Sequence, residues 1–548
     1  AIQHITHIHT ITPAKTTGKP CSPRTLITNP QTKMTSQYIL VLCLATLACW
    51  LTASLVWECC SKKKGKLGDV RMFASVKFKH VIFYLVSMTC LMLGSTYWLC
   101  LAKSQCKPLP NVPSVSVMFD YFPGNIMSRM FLSQIGLTLG LSQIVFWNSF
   151  GIEYNGTKVG SARQRLDEIF LFLGGVGAVC LNIVGAVCNN EKNIQCQGNE
   201  KIHNWSSGIF FVVYMVKMLV LSGRSHFNKN KYFWILLFLA LLSCLLKLRL
   251  LPHLFGQPKE PNSFSSLLEW IDILSILLWT SLYFTTTAGN GFALQIRQQT
   301  MLNRARGDTV QLANFSVTPV FIFVFVLVAS TVIVSQIFAS GGDRLFLSDT
   351  FLSPPGNMIA RFALPLVASI AVSLQICVYY IEGIEFGEKG NLGRNHFIDK
   401  SIAMLAFLSF LGLALMGCSS QTESFLLHKT GAGIFYMAYG VHMLAHSIRS
   451  FAIEKKCSNK YTICQLLIAI LSCICTGFVA TSIPKFMTRP RPRPTTLDKL
   501  TIFVESTNLF CVFIYMGICI FKYKARKSVG ISIIHLGKGN EEDQARLL

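Results

Sequence analysis

The fold class this sequence predicts is an all-α polytopic membrane protein: two parallel six-helix transmembrane repeats plus one extra N-terminal hydrophobic helix. Three observations predict it. Of 548 residues, 51% are hydrophobic and only 14% charged, whereas a soluble domain carries about a quarter charged residues. The apolar residues are bunched into runs of about 20, the length a bilayer requires. Several short motifs occur twice, in the same order and at a nearly constant offset. With no water in the bilayer core, each run must close its own backbone hydrogen bonds as a helix.

Residues 1–33 contain no acidic residue and are rich in Thr, His and Lys. Met34 is the first Met and directly precedes the run Tyr38 to Trp57. The expectation is that 1–33 is a non-mature or disordered segment, with a basic targeting peptide as the alternative. Residues 34–60 then form a signal sequence or an anchor helix. Lys62, Lys63 and Lys64 would hold its C-terminal end in the cytoplasm.

Twelve further apolar runs follow in two sets of six, placed at 80–288 and 318–522. A basic linker, 289–317, separates them, and a tail, 523–548, closes the chain. Lys and Arg fall mostly in alternate short loops, which the positive-inside rule makes cytoplasmic. The net charge of +25 is therefore read as topology and not as nucleic-acid binding. The loop with Lys485, Arg489, Arg491 and Arg493 departs from the rule and would face the lumen. Asn204 heads a sequon on the lumenal side, where a glycan can be added. Most of the 20 Cys, such as Cys180 and Cys377, lie inside apolar runs and act as small hydrophobes. Cys106 and Cys196 fall in lumenal loops, either as a disulfide or as two free thiols.

The repeat is carried by several pairs of segments. Pro123-Gly124-Asn125 followed by Arg129 matches Pro355-Gly356-Asn357 followed by Arg361. His203, five residues before a Gly-Ile-Phe, matches His428. Arg224-Ser225 matches Arg449-Ser450, and Leu242-Ser243-Cys244 matches Leu471-Ser472-Cys473. Both halves begin after a basic segment and hold six spans, so they run in the same direction.

Polar residues at span edges are the candidate site. Asn125 and Arg129 share a helix face, with His203 and Glu269 at the same lumenal depth. Asn357, Arg361, His428 and, less closely, Glu505 repeat the arrangement. One reading is structural: Arg129 pairs with Glu269, and His203 caps or hydrogen-bonds. The other is a ligand site, with Arg129 or Arg361 on a lipid phosphate. His442 and His446 have the spacing of two metal ligands, but no third ligand is evident and no metal or cofactor is expected. Lys217 stands out as a charge deep in mid-span. No catalytic residue is assigned, since no nucleophile set or phosphate loop is evident.

These residues resemble the Frag/DRAM/Sfk family: the Pro-Gly-Asn…Arg entry, Asp167 and Asp399 opening the third spans, the His-x4-Gly-Ile-Phe spans and Glu269-Trp270. The family includes damage-regulated autophagy modulators, a Golgi factor for GPI-anchor remodelling and the N-terminal domain of fungal cell-wall (CWH) proteins. The resemblance is densest over Asp349 to Ser450, including Cys418-Ser-Ser-Gln-Thr-Glu-Ser-Phe-Leu-Leu-His428. Known members usually carry one six-span unit, so this chain resembles the family in tandem. Separately, Asp543-Gln-Ala-Arg-Leu547-Leu548 fits an acidic dileucine address read by sorting adaptors, comparable to other receptor-read terminal signals. Together these imply a non-enzymatic, multi-pass endolysosomal protein of the autophagy-modulator type, in contact with membrane lipids. The alternatives are a GPI-anchor or sphingolipid remodelling factor of the Golgi or endoplasmic reticulum, and a transporter.

Overall fold

The computed structural model describes residues 72–104, 106, 112–120, 123–153, 162–187, 200–227, 230–255, 263–287, 292–298, 309–338, 351, 355–388, 396–453, 460–487, 496–525 and 529–536. All belong to the compact unit Leu47–Leu548. The segment 1–33, the segment 34–60, Cys196, and the dileucine residues Asp543, Leu547 and Leu548 lie outside the described residues.

Among the described residues, twelve long helices and one short one make up the membrane part. In the first half they are α1 (Phe78–Ala102), the short α2 (Val115–Asp120), α3 (Gly124–Glu153), α4 (Ala162–Ala186), α5 (Glu200–Phe227), α6 (Phe233–Phe255) and α7 (Ser263–Thr287). In the second half they are α8 (Val317–Phe338), α9 (Gly356–Glu388), α10 (His396–Cys418), α11 (Gln421–Ile453), α12 (Lys460–Met487) and α13 (Thr496–Ala525). Nine of the described helices are long and apolar enough to cross a membrane. The chain is a multi-pass helical integral membrane protein.

Each half is a ring. In the first, α1, α3, α4, α5, α6 and α7 each pack on the next, and α7 returns to α1. In the second, α8 to α13 pack in the same order, and α13 returns to α8. The rings meet chiefly where α3 packs on α9. Many apolar side chains face outward, among them Phe172, Trp234, Phe397 and Phe503. In water this would be a liability; against lipid it is the preferred arrangement.

Outside the membrane helices the chain adds a small sheet where the sequence reading had only a linker and a tail. Strands β1 (Met72–Lys77), β2 (Phe292–Gln298), β3 (Thr309–Ser316) and β4 (Val529–Leu536) form an antiparallel sheet in the order β1-β2-β4-β3. Each strand abuts the first or last helix of a ring, so all four gather at the end that carries the basic loops. The two outer pairings are alike. Val76 faces Leu294 as Phe315 faces Ile531, and both ladders shift register at corresponding places, between Met72 and Ala74 and between Gln311 and Ala313. The central β2–β4 pairing joins the C-terminal strands of the two halves.

Candidate functional site

The Pro-Gly-Asn motif starts α3 and α9 with the same turn. Ile126 N–H donates to Pro123 O, and Met358 N–H to Pro355 O, both at 3.1 Å. Gly124 is needed because α2 passes directly over it: a Cβ there would sit 2.3 Å from Met118 O. Asn125 and Arg129 then point from one face of α3 into the contact between the rings.

Their partner is Glu423 and not Glu269, which corrects the expected pairing. Arg129 grips the Glu423 carboxylate with both terminal nitrogens, at 2.7 and 2.9 Å. Arg361 reaches the same carboxylate from the other ring at 2.8 Å, and Asn125 donates to it at 3.1 Å. Arg129 also donates to Cys418 O at 2.7 Å. The side chains of Arg129, Glu423 and Arg361 are 1%, 6% and 2% exposed. Two guanidiniums therefore share one carboxylate where α3, α9 and α11 meet, far from the basic loops. The geometry is the structural tie of the first reading, with a different acid.

Glu423 was missed because it precedes the apolar run. A local signal marks it: Ser420-Gln-Thr-Glu423 is a capping box. Glu423 N–H donates to Ser420 Oγ at 3.3 Å, and Ser420 N–H returns a bond to the Glu423 carboxylate at 3.2 Å. A break in helical geometry at Ser424 follows. The capping turn fixes the carboxylate before either arginine meets it.

Glu269 does other work. It accepts a bond from Ser116 Oγ at 3.3 Å, and Trp270 Nε1 donates to Pro113 O at 2.9 Å. The Glu-Trp pair pins α2 over the far end of the first ring. Glu505 sits half-buried near the start of α13. Asn357 is buried beside Arg361 on α9 but does not reach Glu423.

The two histidines behave alike, as hydrogen-bonded ties between neighbouring helices. His203 Nδ1 meets Val187 O at 2.7 Å, and His428 Nδ1 meets Ser419 O at 2.6 Å. A carbonyl only accepts, so Nδ1 carries the proton in both. Each ties the end of the third helix of its ring to the start of the fourth. Asn204 follows on the first turns of α5, half-buried in the helix and not in a loop.

Cys106 pairs with Cys100 and not with Cys196. The chain turns back after α1, where Ser104 has φ 55, and this brings the two Cα atoms to 5.3 Å, within disulfide reach.

Lys217 is not the sole buried charge in the spans. Lys247 on α6 and Asp272 on α7 form an ion pair at 2.9 Å, each side chain 1% exposed. Ser243 donates to Asp272 Oδ1 at 2.5 Å. The second ring builds the same crossing from neutral groups. Ser472 donates to Asn508 Oδ1 at 2.6 Å, and Asn508 donates to Thr476 Oγ1 at 2.9 Å.

Each ring holds a partly open apolar cavity lined by five of its six helices. The first is about 120 Å³ and the second about 90 Å³. Matching residues line both: Leu132, Tyr214 and Ile273 in one, Leu364, Tyr439 and Leu509 in the other. His442 and His446 border the second cavity. They are not a metal pair. The nitrogens of His446 contact Glu382 and Tyr515 OH, the latter at 2.5 Å, and His442 Nδ1 meets Ile402 O at 2.9 Å. Among the described residues no group of three or more His, Cys, Asp or Glu is placed to hold a metal ion.

No family model matches the sequence, no curated protein matches it, and no solved structure matches its fold.

Proposed function

We propose that this chain is a non-enzymatic, lipid-binding membrane protein of late endosomes and lysosomes, of the autophagy-modulator type that its motifs resemble. The carrying observation is the pair of matched apolar cavities, each walled by helices of its own ring. An apolar space within a membrane bundle favours hydrocarbon over water. The Arg129–Glu423–Arg361 cluster fits a tie between the rings, since both arginines are already occupied by a carboxylate. The endolysosomal address rests on the acidic dileucine pattern ending in Leu547 and Leu548 and on the family resemblance, and sorting adaptors are its readers.

Two measurements test the two parts. Native mass spectrometry of the full chain, purified in mild detergent, is expected to show retained lipid; bare protein under conditions that keep it folded would overturn lipid binding. An internally tagged chain is expected on lysosomes, and Leu547→Ala/Leu548→Ala is expected to move it to the plasma membrane. If both versions sit in the Golgi or endoplasmic reticulum, the remodelling reading replaces the endolysosomal one.

One observation favours transport as a second reading. The Lys247–Asp272 pair is a buried ion pair between α6 and α7, and buried charges in membrane helices often mark ion or substrate paths. Uptake of solute into vesicles containing the purified chain, lost in Asp272→Asn, would support it.

A further inference from the structure

The second cavity differs from the first at one place. In the first ring, Lys217 donates to Gln143 Oε1, and Gln143 donates to Leu139 O at 3.1 Å. Trp279 and Tyr283 stack beside them with ring centroids 4.8 Å apart. Lys217 and Gln143 thus occupy one another at that end of the ring.

The corresponding residues of the second ring are Gln375, His442, Tyr515 and Cys519, and all four line the cavity. Cys519 is far smaller than Tyr283, so the cavity continues where the first one stops. Gln375 is 9% and His442 5% exposed. No hydrogen bond to the Gln375 amide or to His442 Nε2 occurs among the described residues. His442 Nδ1 faces a carbonyl, so Nδ1 holds the proton and Nε2 is left as an acceptor. Tyr515 and His446 are committed to each other and to Glu382. The apolar cavity thus ends in one open acceptor and one open amide. Neither carries a charge in this arrangement.

We propose that the second ring binds a neutral lipid bearing a free hydroxyl. Its hydrocarbon lies along the wall formed by Val324, Val367 and Leu509, and its hydroxyl donates to His442 Nε2 while accepting from the Gln375 amide. A hydroxyl is the smallest group that both donates and accepts. A carboxylate or phosphate offers no donor to Nε2 when ionised and would lie buried without a facing cation. In the first ring the counterparts of this pair, Lys217 and Gln143, bond each other, and the open polar atoms of the cavity are Tyr214 OH and Thr280 Oγ1 instead. This inference rests on the lipid-binding reading and adds the ligand class.

The test uses the full chain reconstituted in phosphatidylcholine vesicles, with two photoactivatable probes: a long-chain diazirine alcohol and its O-methyl ether. The ether cannot donate to His442. The alcohol is expected to label peptides around Gln375 and His442 about fivefold or more above the ether, the size of one lost buried hydrogen bond. His442→Phe should abolish the preference while both probes still label the ring. Excess unlabelled sterol and excess unlabelled diacylglycerol, added separately, tell which alcohol enters. Equal labelling of the second ring by alcohol and ether would overturn the hydroxyl anchor and leave lipid binding standing. Labelling of neither ring by either probe would overturn the lipid-binding reading as well. A preference retained in His442→Phe, or competition by neither lipid, would also overturn the proposal.

Discussion

Glu423 is held by Arg129, Arg361, Asn125 and its own capping turn, and it is nearly inaccessible. Removing one partner of a buried ionic group costs about 3–5 kcal/mol, because the remaining charge is stranded. Glu423→Gln strands two guanidiniums and is expected to fall in that range, read as a lower thermal midpoint in detergent. Arg361→Met leaves the bidentate Arg129–Glu423 pair intact and is expected to cost less. The reverse order would mean that the carboxylate is not the shared hub. A second residue-scale prediction concerns the disulfide. Cys100→Ser should make Cys106 reactive to a membrane-impermeant maleimide, whereas substitution of Cys196 should not. At this scale the sequence was only partly legible. Arg129, His203 and His428 stood out as polar groups beside apolar runs. Their partners did not, because Glu423, Val187 and Ser419 are fixed by how helices meet, and spacing along the chain does not record that.

Helix contacts within a ring depend on small residues. A Cβ on Gly412 would sit 2.5 Å from Phe435 N and 2.7 Å from Gly431 O, both backbone atoms. The α10–α11 crossing is a close backbone approach of the kind small residues permit in membranes. Gly412→Ala is expected to lower stability by about 1–3 kcal/mol, measured as a shifted detergent-unfolding midpoint. Gly433→Ala, with open space around the new methyl, serves as the control and should change little. The helices themselves were legible, since run length and polarity follow from the bilayer. The four strands were not. β2 and β3 flank the basic stretch 299–308, whose charge masked them as a plain linker, and β4 hides in a tail rich in turn-forming and charged residues. Strand β4 lies between β2 and β3, so a proline within it removes a ladder bond that a central strand needs. Ile533→Pro is expected to open the sheet and speed protease cleavage in the basic stretch; unchanged cleavage would show that the sheet does not protect it.

Across the whole molecule, correspondences recur at every level. The ring order, the register of the outer strand pairs, the His ties and the Ser472–Asn508 copy of Ser243–Asp272 all match. They support reading the chain as one ring duplicated in tandem. Duplicated motifs were visible in the sequence, but the meeting of the rings at α3 and α9 was not, because no residue pattern names a partner helix. The two halves have also diverged in one respect that governs assembly. Both rings bring an arginine to this cluster, but the acid they meet comes from the second: the residue five before His428 is Glu423, and the residue five before His203 is Gly198. Arg129 of the first ring therefore takes its carboxylate from the second, whereas Arg361 and Glu423 meet within the second ring itself. The buried arginine of the first ring depends on its sister for a counter-ion, and covalent linkage supplies that ion in every molecule made.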